Sequence, residues 1–86
     1  MSKYSFSEEE VKLAFSRLAA CLDGQPLRSA AGGLRRVEAR EFMLMHSDES
    51  MEFLAFKHID TRNYVYVDVS GLLIPMTGQP FKRGEF

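Results

Sequence analysis

The residues best suited to chemistry are two histidine–aspartate pairs, His46–Asp48 in "HSD" and His58–Asp60 in "HID". Such pairs could act as an acid–base set or as metal ligands. The expected sheet separates them. His46 lies beside Met51, at the start of the predicted strand 51–59, whereas His58 lies seven residues beyond Met51, near the end of the same strand. At about 3.3 Å per residue this is roughly 23 Å. Ligands of one ion must converge, so the sequence predicts no metal site and places each pair beside a turn.

The other reactive or ligand-binding candidates have simpler explanations. Cys21 is the only cysteine, which excludes an intramolecular disulfide and indicates a reducing compartment. It lies near the C-terminal end of a predicted helix, where a thiolate is disfavoured, so we expect a small buried hydrophobe. Gly32-Gly33 precede two arginines but lack a preceding strand and the Lys-Ser/Thr of a phosphate-binding loop. The sequence therefore predicts no enzyme activity and no cofactor.

Length and composition indicate one small globular domain spanning 1–86. The chain is 45% hydrophobic and 12% aromatic, which argues against disorder. Its net charge of −1 provides no long-range attraction for nucleic acid or an anionic membrane. No apolar run approaches the roughly 18 residues of a membrane span, and the N-terminus lacks the apolar centre of a signal peptide. We therefore expect a cytoplasmic protein.

A helix over residues 8–22 has the clearest local signals. Ser7 and Glu10 have the spacing of a capping box, and Phe6 with Val11 that of a hydrophobic staple. Apolar residues then recur at helical spacing on one stripe. Asp23-Gly24 provides the expected stop, Gly24 being suited to the position after the helix. Residues 23–33, rich in glycine and small side chains, are predicted to form a loop.

The following residues predict an antiparallel meander within about 37–75. Strands are expected at 37–46, 51–59 and 63–69, with "HSDES" and "DTRN" as turns. Residues 34–46 are also compatible with a helix on propensity. The segment "GLLIPM" predicts a short fourth strand that Pro75 confines to an edge or ends. The predicted fold is α+β, with the helix packed on three or four antiparallel strands, followed by a C-terminal tail at 76–86.

Four-residue turns would pair His46 with Met51 and Ile59 with Tyr64, which assigns each side chain to a face. The face predicted to meet the helix is almost wholly apolar, apart from Glu41, Glu52 and His58. Its apolar members are Val37, Ala39, Met43, Met45, Leu54, Phe56, Val65, Val67 and Val69. The opposite face is predicted to hold Phe42, Leu44, Met51, Phe53, Ile59, Tyr64 and Tyr66, among Glu38, Arg40, His46, Lys57 and Asp68.

The second face is the candidate site, because a single helix cannot cover both sides of a sheet. Exposed aromatic patches of this kind tend to mark interaction surfaces. We expect a protein-binding module, with a partner protein or a second copy bound there. The predicted anchors are Phe42, Phe53, Tyr64 and Tyr66, with Arg40 and Lys57 setting orientation. Two alternatives remain: residues 76–86 cover this face, or it binds single-stranded nucleic acid by base stacking.

Overall fold

In a computed structural model, which describes residues 2–23, 26–28 and 33–73, one helix packs on a five-stranded antiparallel sheet. This confirms the predicted α+β fold, with one more strand in the sheet than the upper expectation. The helix α1 spans Glu8–Leu22, and a single 3₁₀ turn spans Ala39–Glu41. The strands are β1 (Ser2–Lys3), β2 (Leu27–Arg28), β3 (Leu34–Arg35), β4 (Phe42–Asp48), β5 (Leu54–His58), β6 (Tyr64–Asp68) and β7 (Gly71–Leu73).

The start of α1 has the predicted capping box. The Ser7 hydroxyl accepts a hydrogen bond from the Glu10 N–H at 3.2 Å, and the Glu10 carboxylate accepts one from the Ser7 N–H at 2.8 Å. Lys3 of β1 forms an ion pair with the same carboxylate, which ties the first strand to the helix. The expected role of Gly24 at the helix end lies outside the described residues.

The core lies between α1 and one face of the sheet. The helix buries Ala14, Leu18 and Leu22 in one apolar cluster with side chains of β4, β5 and β6. The Phe15 ring meets Phe56 edge-on, with ring centres 5.3 Å apart. The buried sheet residues include Leu54, Phe56, Val65 and Val67, as the alternating pattern of these strands predicts.

Strand order in the sheet is β1-β4-β5-β6-β7, and β2 pairs with β3 in a separate ribbon. The short strand expected in "GLLIPM" is present as β7, whereas Pro75 lies outside the described residues. Neither β1 nor the β2–β3 ribbon was predicted. Both are pairs of only two residues, too short to produce an alternating pattern.

The predicted register between β4 and β5 was wrong. Phe42 pairs with His58 rather than with Ala55, a shift of three residues, and an odd shift exchanges the two faces. A bulge between Leu44 and His46 adds one residue to β4, so beyond it His46 pairs with Ala55 and keeps its predicted face. Between β5 and β6, Tyr64 pairs with Lys57 rather than Ile59, an even shift that preserves both faces.

Several residues therefore lie on a different side of the sheet from the one predicted. Phe42, predicted to face outward, is 3% exposed in the core, and Leu44 also packs against the core. Met43, predicted to be buried, is 50% exposed. Met51, also expected outside, is buried because the connection from β4 to β5 turns inward there with a positive φ of 63°. Val69, expected inside, is 80% exposed in the turn after β6.

The segment 37–41 does not extend β4, contrary to the predicted strand at 37–46. It instead forms the 3₁₀ turn, in which the Glu41 carboxylate accepts a hydrogen bond from the Glu38 N–H at 2.8 Å. A side chain bonded back to the preceding backbone competes with the strand ladder, which explains why β4 begins only at Phe42.

The corrected register predicts opposite sensitivities for two neighbouring residues. Phe42→Ala should lower the free energy of unfolding by about 3–5 kcal/mol, because it leaves a cavity in the core. Met43→Ala should change it by less than about 1 kcal/mol, because this side chain is half exposed. Urea denaturation followed by circular dichroism measures both. A larger loss for Met43→Ala than for Phe42→Ala would support the register predicted from sequence instead.

Candidate protein-binding surface

The side of the five-stranded sheet that points away from α1, here called the outer face, is organised in three rows across the strands. The basic row contains Met43, Lys57 and Tyr64, which pair in register across β4, β5 and β6. The central row contains His46, Ala55 and Tyr66. The acidic row contains Asp48 and Asp68, the last residues of β4 and β6, and Phe53, which immediately precedes β5.

Three aromatic rings form a continuous cluster across these rows. Phe53 stacks on Tyr66 with ring centres 5.2 Å apart and an interplanar angle of 25°. Tyr66 lies 6.3 Å from Tyr64, and the Lys57 ammonium lies 5.9 Å from the centre of the Tyr64 ring. These distances fall within the ranges of aromatic pairing and cation–π attraction. We call these four residues, all of intermediate exposure, the aromatic patch.

The outer face is electrostatically polar along the strand direction. Lys57 is positive, and no ion pair joins it to another described residue. At the other end, the N–H of Phe53 donates to Asp48 at 3.1 Å and holds the pKa of this carboxyl below its usual value. The Ser70 hydroxyl donates to Asp68 at 2.6 Å and, with the Ser70 N–H, lowers the pKa of that carboxyl as well. Both aspartates are therefore ionised at neutral pH.

Four of the six residues predicted to bind a partner meet in the aromatic patch: Phe53, Lys57, Tyr64 and Tyr66. The other two lie elsewhere. The predicted outward position of Phe42 was wrong, because its ring packs edge-on against His58 on the helix side, with ring centres 5.0 Å apart. The predicted position of Arg40 on the sheet was also wrong, because it belongs to the 3₁₀ turn and pairs there with Glu38 at 2.8 Å.

The structure adds residues to the outer face that sequence analysis missed. Met43 lies on this face because of the bulge in β4, which the sequence does not indicate. Tyr4, which follows β1, brings its ring to 5.6 Å from that of His46 and is 70% exposed. Its place next to His46 depends on β1 pairing with the end of β4, a contact between distant parts of the chain.

Of the two histidines considered for chemistry, His58 is completely buried and has partners on both ring nitrogens. Its Nε2 lies 2.9 Å from Oε1 of Glu41, and its Nδ1 accepts a hydrogen bond from the Thr61 N–H at 3.1 Å. These bonds assign a neutral ring that donates from Nε2. Arg35 also donates to Glu41 Oε1, at 2.8 Å. Glu41 therefore joins His58, at the end of β5, to the 3₁₀ turn and, through Arg35, to the β2–β3 ribbon.

A groove lies on another part of the described surface. It has a volume of about 680 Å³ and lies beside the C-terminal end of α1. Apolar side chains such as Leu22 and Val37 line it together with charges of both signs. Within residues 2–23, 26–28 and 33–73, no group of three or more His, Cys, Asp or Glu could hold a metal ion. No helix in these ranges is long and apolar enough to span a membrane.

Comparisons with known proteins give no relative. No protein-family model matches the chain, and no curated protein or solved structure is significantly similar to it. The function must therefore be argued from the geometry of the outer face.

The Glu41 interactions predict a pH dependence of stability. The hydrogen bond with His58, followed by that from the Glu38 N–H, lowers the pKa of Glu41 below its ordinary value of 4.5. A lowered pKa in the folded state means that the charged carboxylate stabilises the fold above about pH 4.5, and that this contribution is lost as the pH falls through the folded pKa. Glu41→Gln removes the titrating group, so its stability should fall less between about pH 6 and about pH 3 than that of the wild type.

Urea denaturation at several pH values measures this difference. At neutral pH, Glu41→Gln should be less stable than the wild type by about 1–3 kcal/mol, because an amide cannot accept hydrogen bonds at both of its atoms. Glu49→Gln, at an exposed position in the turn after β4, makes the same chemical change away from the Glu41 contacts and serves as the control. Parallel pH profiles for Glu41→Gln and the wild type would contradict the assigned role of Glu41.

Proposed function

We propose that this chain is a small, non-enzymatic protein-binding module that binds another protein through the outer face of its sheet. The aromatic patch is the observation on which the proposal rests. Phe53, Tyr64 and Tyr66 form a connected ring surface on the side of the sheet that α1 does not cover. The proposed location is the cytoplasm, in agreement with the lone Cys21.

The composition of the outer face supports protein binding. Tyrosine, phenylalanine and methionine are enriched at the centres of protein interfaces, and these types make up most of the patch and its neighbour Met43. The rings are held in place by stacking, so little side-chain freedom is lost on binding. Lys57 and the two aspartates surround the rings with charges that can orient a partner.

The alternative function, binding of single-stranded nucleic acid on the same rings, has less electrostatic support. Among the residues that the structure describes, only Lys57 places a cation beside the rings of the aromatic patch, whereas Asp48 and Asp68 add two negative charges at its end. Arg35 and Arg40 pair with Glu41 and Glu38 away from this face. Stacking platforms for nucleic acid depend on a positively charged groove that follows the phosphates.

Site-specific photo-crosslinking tests the proposal on the full chain. Tyr64 is replaced by the photoreactive residue p-benzoylphenylalanine, which keeps an aromatic ring at this position, and cells that naturally make the chain are irradiated. We expect a protein adduct whose yield falls at least about tenfold when Tyr66→Ala is added, since aromatic anchors dominate binding energy at interfaces. The matched control has the same reagent at Leu13, an exposed apolar residue of α1, and should give no such adduct.

The adduct identifies what covers the face. A nuclease-sensitive adduct would instead support the nucleic-acid alternative. Crosslinks that join position 64 only to residues 76–86 of the same chain would show that the tail covers the face, which contradicts the proposal. Equal protein adducts from positions 13 and 64 would also contradict it, because they would indicate nonspecific binding. Circular dichroism of the Tyr66→Ala chain verifies that lost crosslinking does not reflect unfolding.

A further inference from the structure

The order of charges on the outer face is self-complementary. Lys57 lies in the basic row, and Asp48 and Asp68 lie in the acidic row on the other side of Tyr66. Asp68 is four residues from Tyr64, the strand partner of Lys57, so the two rows are roughly 13 Å apart. The central row of His46, Ala55 and Tyr66 lies midway between them.

We propose that the protein bound on the outer face is a second copy of this chain, packed face to face about a two-fold axis that runs across the strands along the central row. This inference rests on the proposed function and names its partner. The rotation places the basic row of each copy over the acidic row of the other. Tyr64 then faces Asp68 of the other copy, and the Lys57 stem covers the other copy's Phe53.

The position of Lys57 favours this arrangement over the other face-to-face dimer. Its ammonium leans over the Tyr64 ring on β6, the strand that also contains Asp68. A two-fold axis along the strands would instead place Lys57 over Lys57 and the aspartates over one another. Like charges opposed in an interface are strongly unfavourable. Of the two axes, the charge pattern therefore favours the one that runs across the strands.

The centre of the proposed interface consists of aromatic rings. Ala55 lies there with no solvent exposure, so the surface of the central row is supplied by His46 and Tyr66. Two sheets of this kind pack about 10 Å apart, with aligned strands and interdigitated side chains. The net charge of −1 produces little repulsion between copies.

The expected dimer is weak. Strands β4, β5 and β6, about 4.8 Å apart and crossed by three rows about 6.6 Å apart, give together with the shorter edge strands roughly 350 Å² of sheet on each copy, within the range of weak, transient interfaces. We therefore expect a dissociation constant on the order of 10–100 µM, measurable by sedimentation equilibrium between about 1 µM and about 1 mM.

Charge reversal in two separate chains provides the decisive experiment. Lys57→Glu and Asp68→Lys should each weaken self-association at least about tenfold, because each creates two like-charge contacts in the dimer. An equimolar mixture of the two variants should restore it, because every contact then joins opposite charges. Lys12→Glu, on the exposed side of α1, changes the net charge of the chain as Lys57→Glu does and should leave association unchanged.

A second measurement needs no substitution. Carbodiimide treatment of the wild type should join Lys57 of one copy to Asp68 of another by an amide bond, at the mass of a dimer, since roughly 13 Å prevents this bond within one chain. A wild type that stays monomeric up to about 1 mM would overturn the inference. So would variants that associate as weakly when mixed as when alone. In either case, adducts from position 64 to a different protein would still support the proposed function. The absence of any protein adduct would contradict both the proposed function and the second-copy inference.

Discussion

One additional residue in β4 determines which side chains of this strand face the helix and which face away from it. The bulge between Leu44 and His46 changes the phase of the strand, so Phe42 and Leu44 point toward α1 while His46 points away. Without the extra residue, a strand of this sequence would have to expose Phe42 or bury His46 among apolar side chains. The bulge therefore allows Phe42 to be buried while His46 faces away from the core.

The bulge brings Phe42 opposite His58, a histidine that the alternation of β5 directs into the core and whose ring nitrogens both require hydrogen-bond partners. Glu41 meets one requirement because the 3₁₀ turn positions its carboxylate beside β5, and the turn after β5 meets the other through Thr61. The Glu41 carbonyl also accepts a hydrogen bond from the Ile59 N–H at 2.9 Å. The end of β4 toward Phe42 is therefore fixed by polar contacts, whereas its centre is fixed by packing.

The elements that sequence analysis predicted correctly are those whose signals are local. The cap at Ser7 and the alternation of valine and tyrosine in β6 each lie within a few residues, and they place α1 and both faces of β6. Strand β4 is different, because Phe42 to Met45 are all apolar and contain no alternation from which to assign a phase. Its neighbouring loop depends on Met51 at positive φ, a conformation that methionine seldom adopts. The error at Phe42 follows from these two facts.

The candidate surface was predicted only in part for the same physical reason. Phe53, Lys57, Tyr64 and Tyr66 belong to β5, β6 and the residue before β5, whose faces an even register shift preserves. Met43 and Tyr4 depend on the bulge and on β1, which follow only from contacts between distant residues.

The two faces of β6 also differ in what replacement of their residues would affect. Val65 and Val67 are completely or almost completely buried beneath α1, so their size is constrained by packing density. Tyr64 and Tyr66 contact neighbouring rings yet remain partly exposed, and such an aromatic pair contributes only about 0.5–1.5 kcal/mol beyond burial. Smaller polar residues could fill these positions without leaving a core cavity. The folding of the sheet therefore explains the valines but does not by itself require tyrosines at the other two positions.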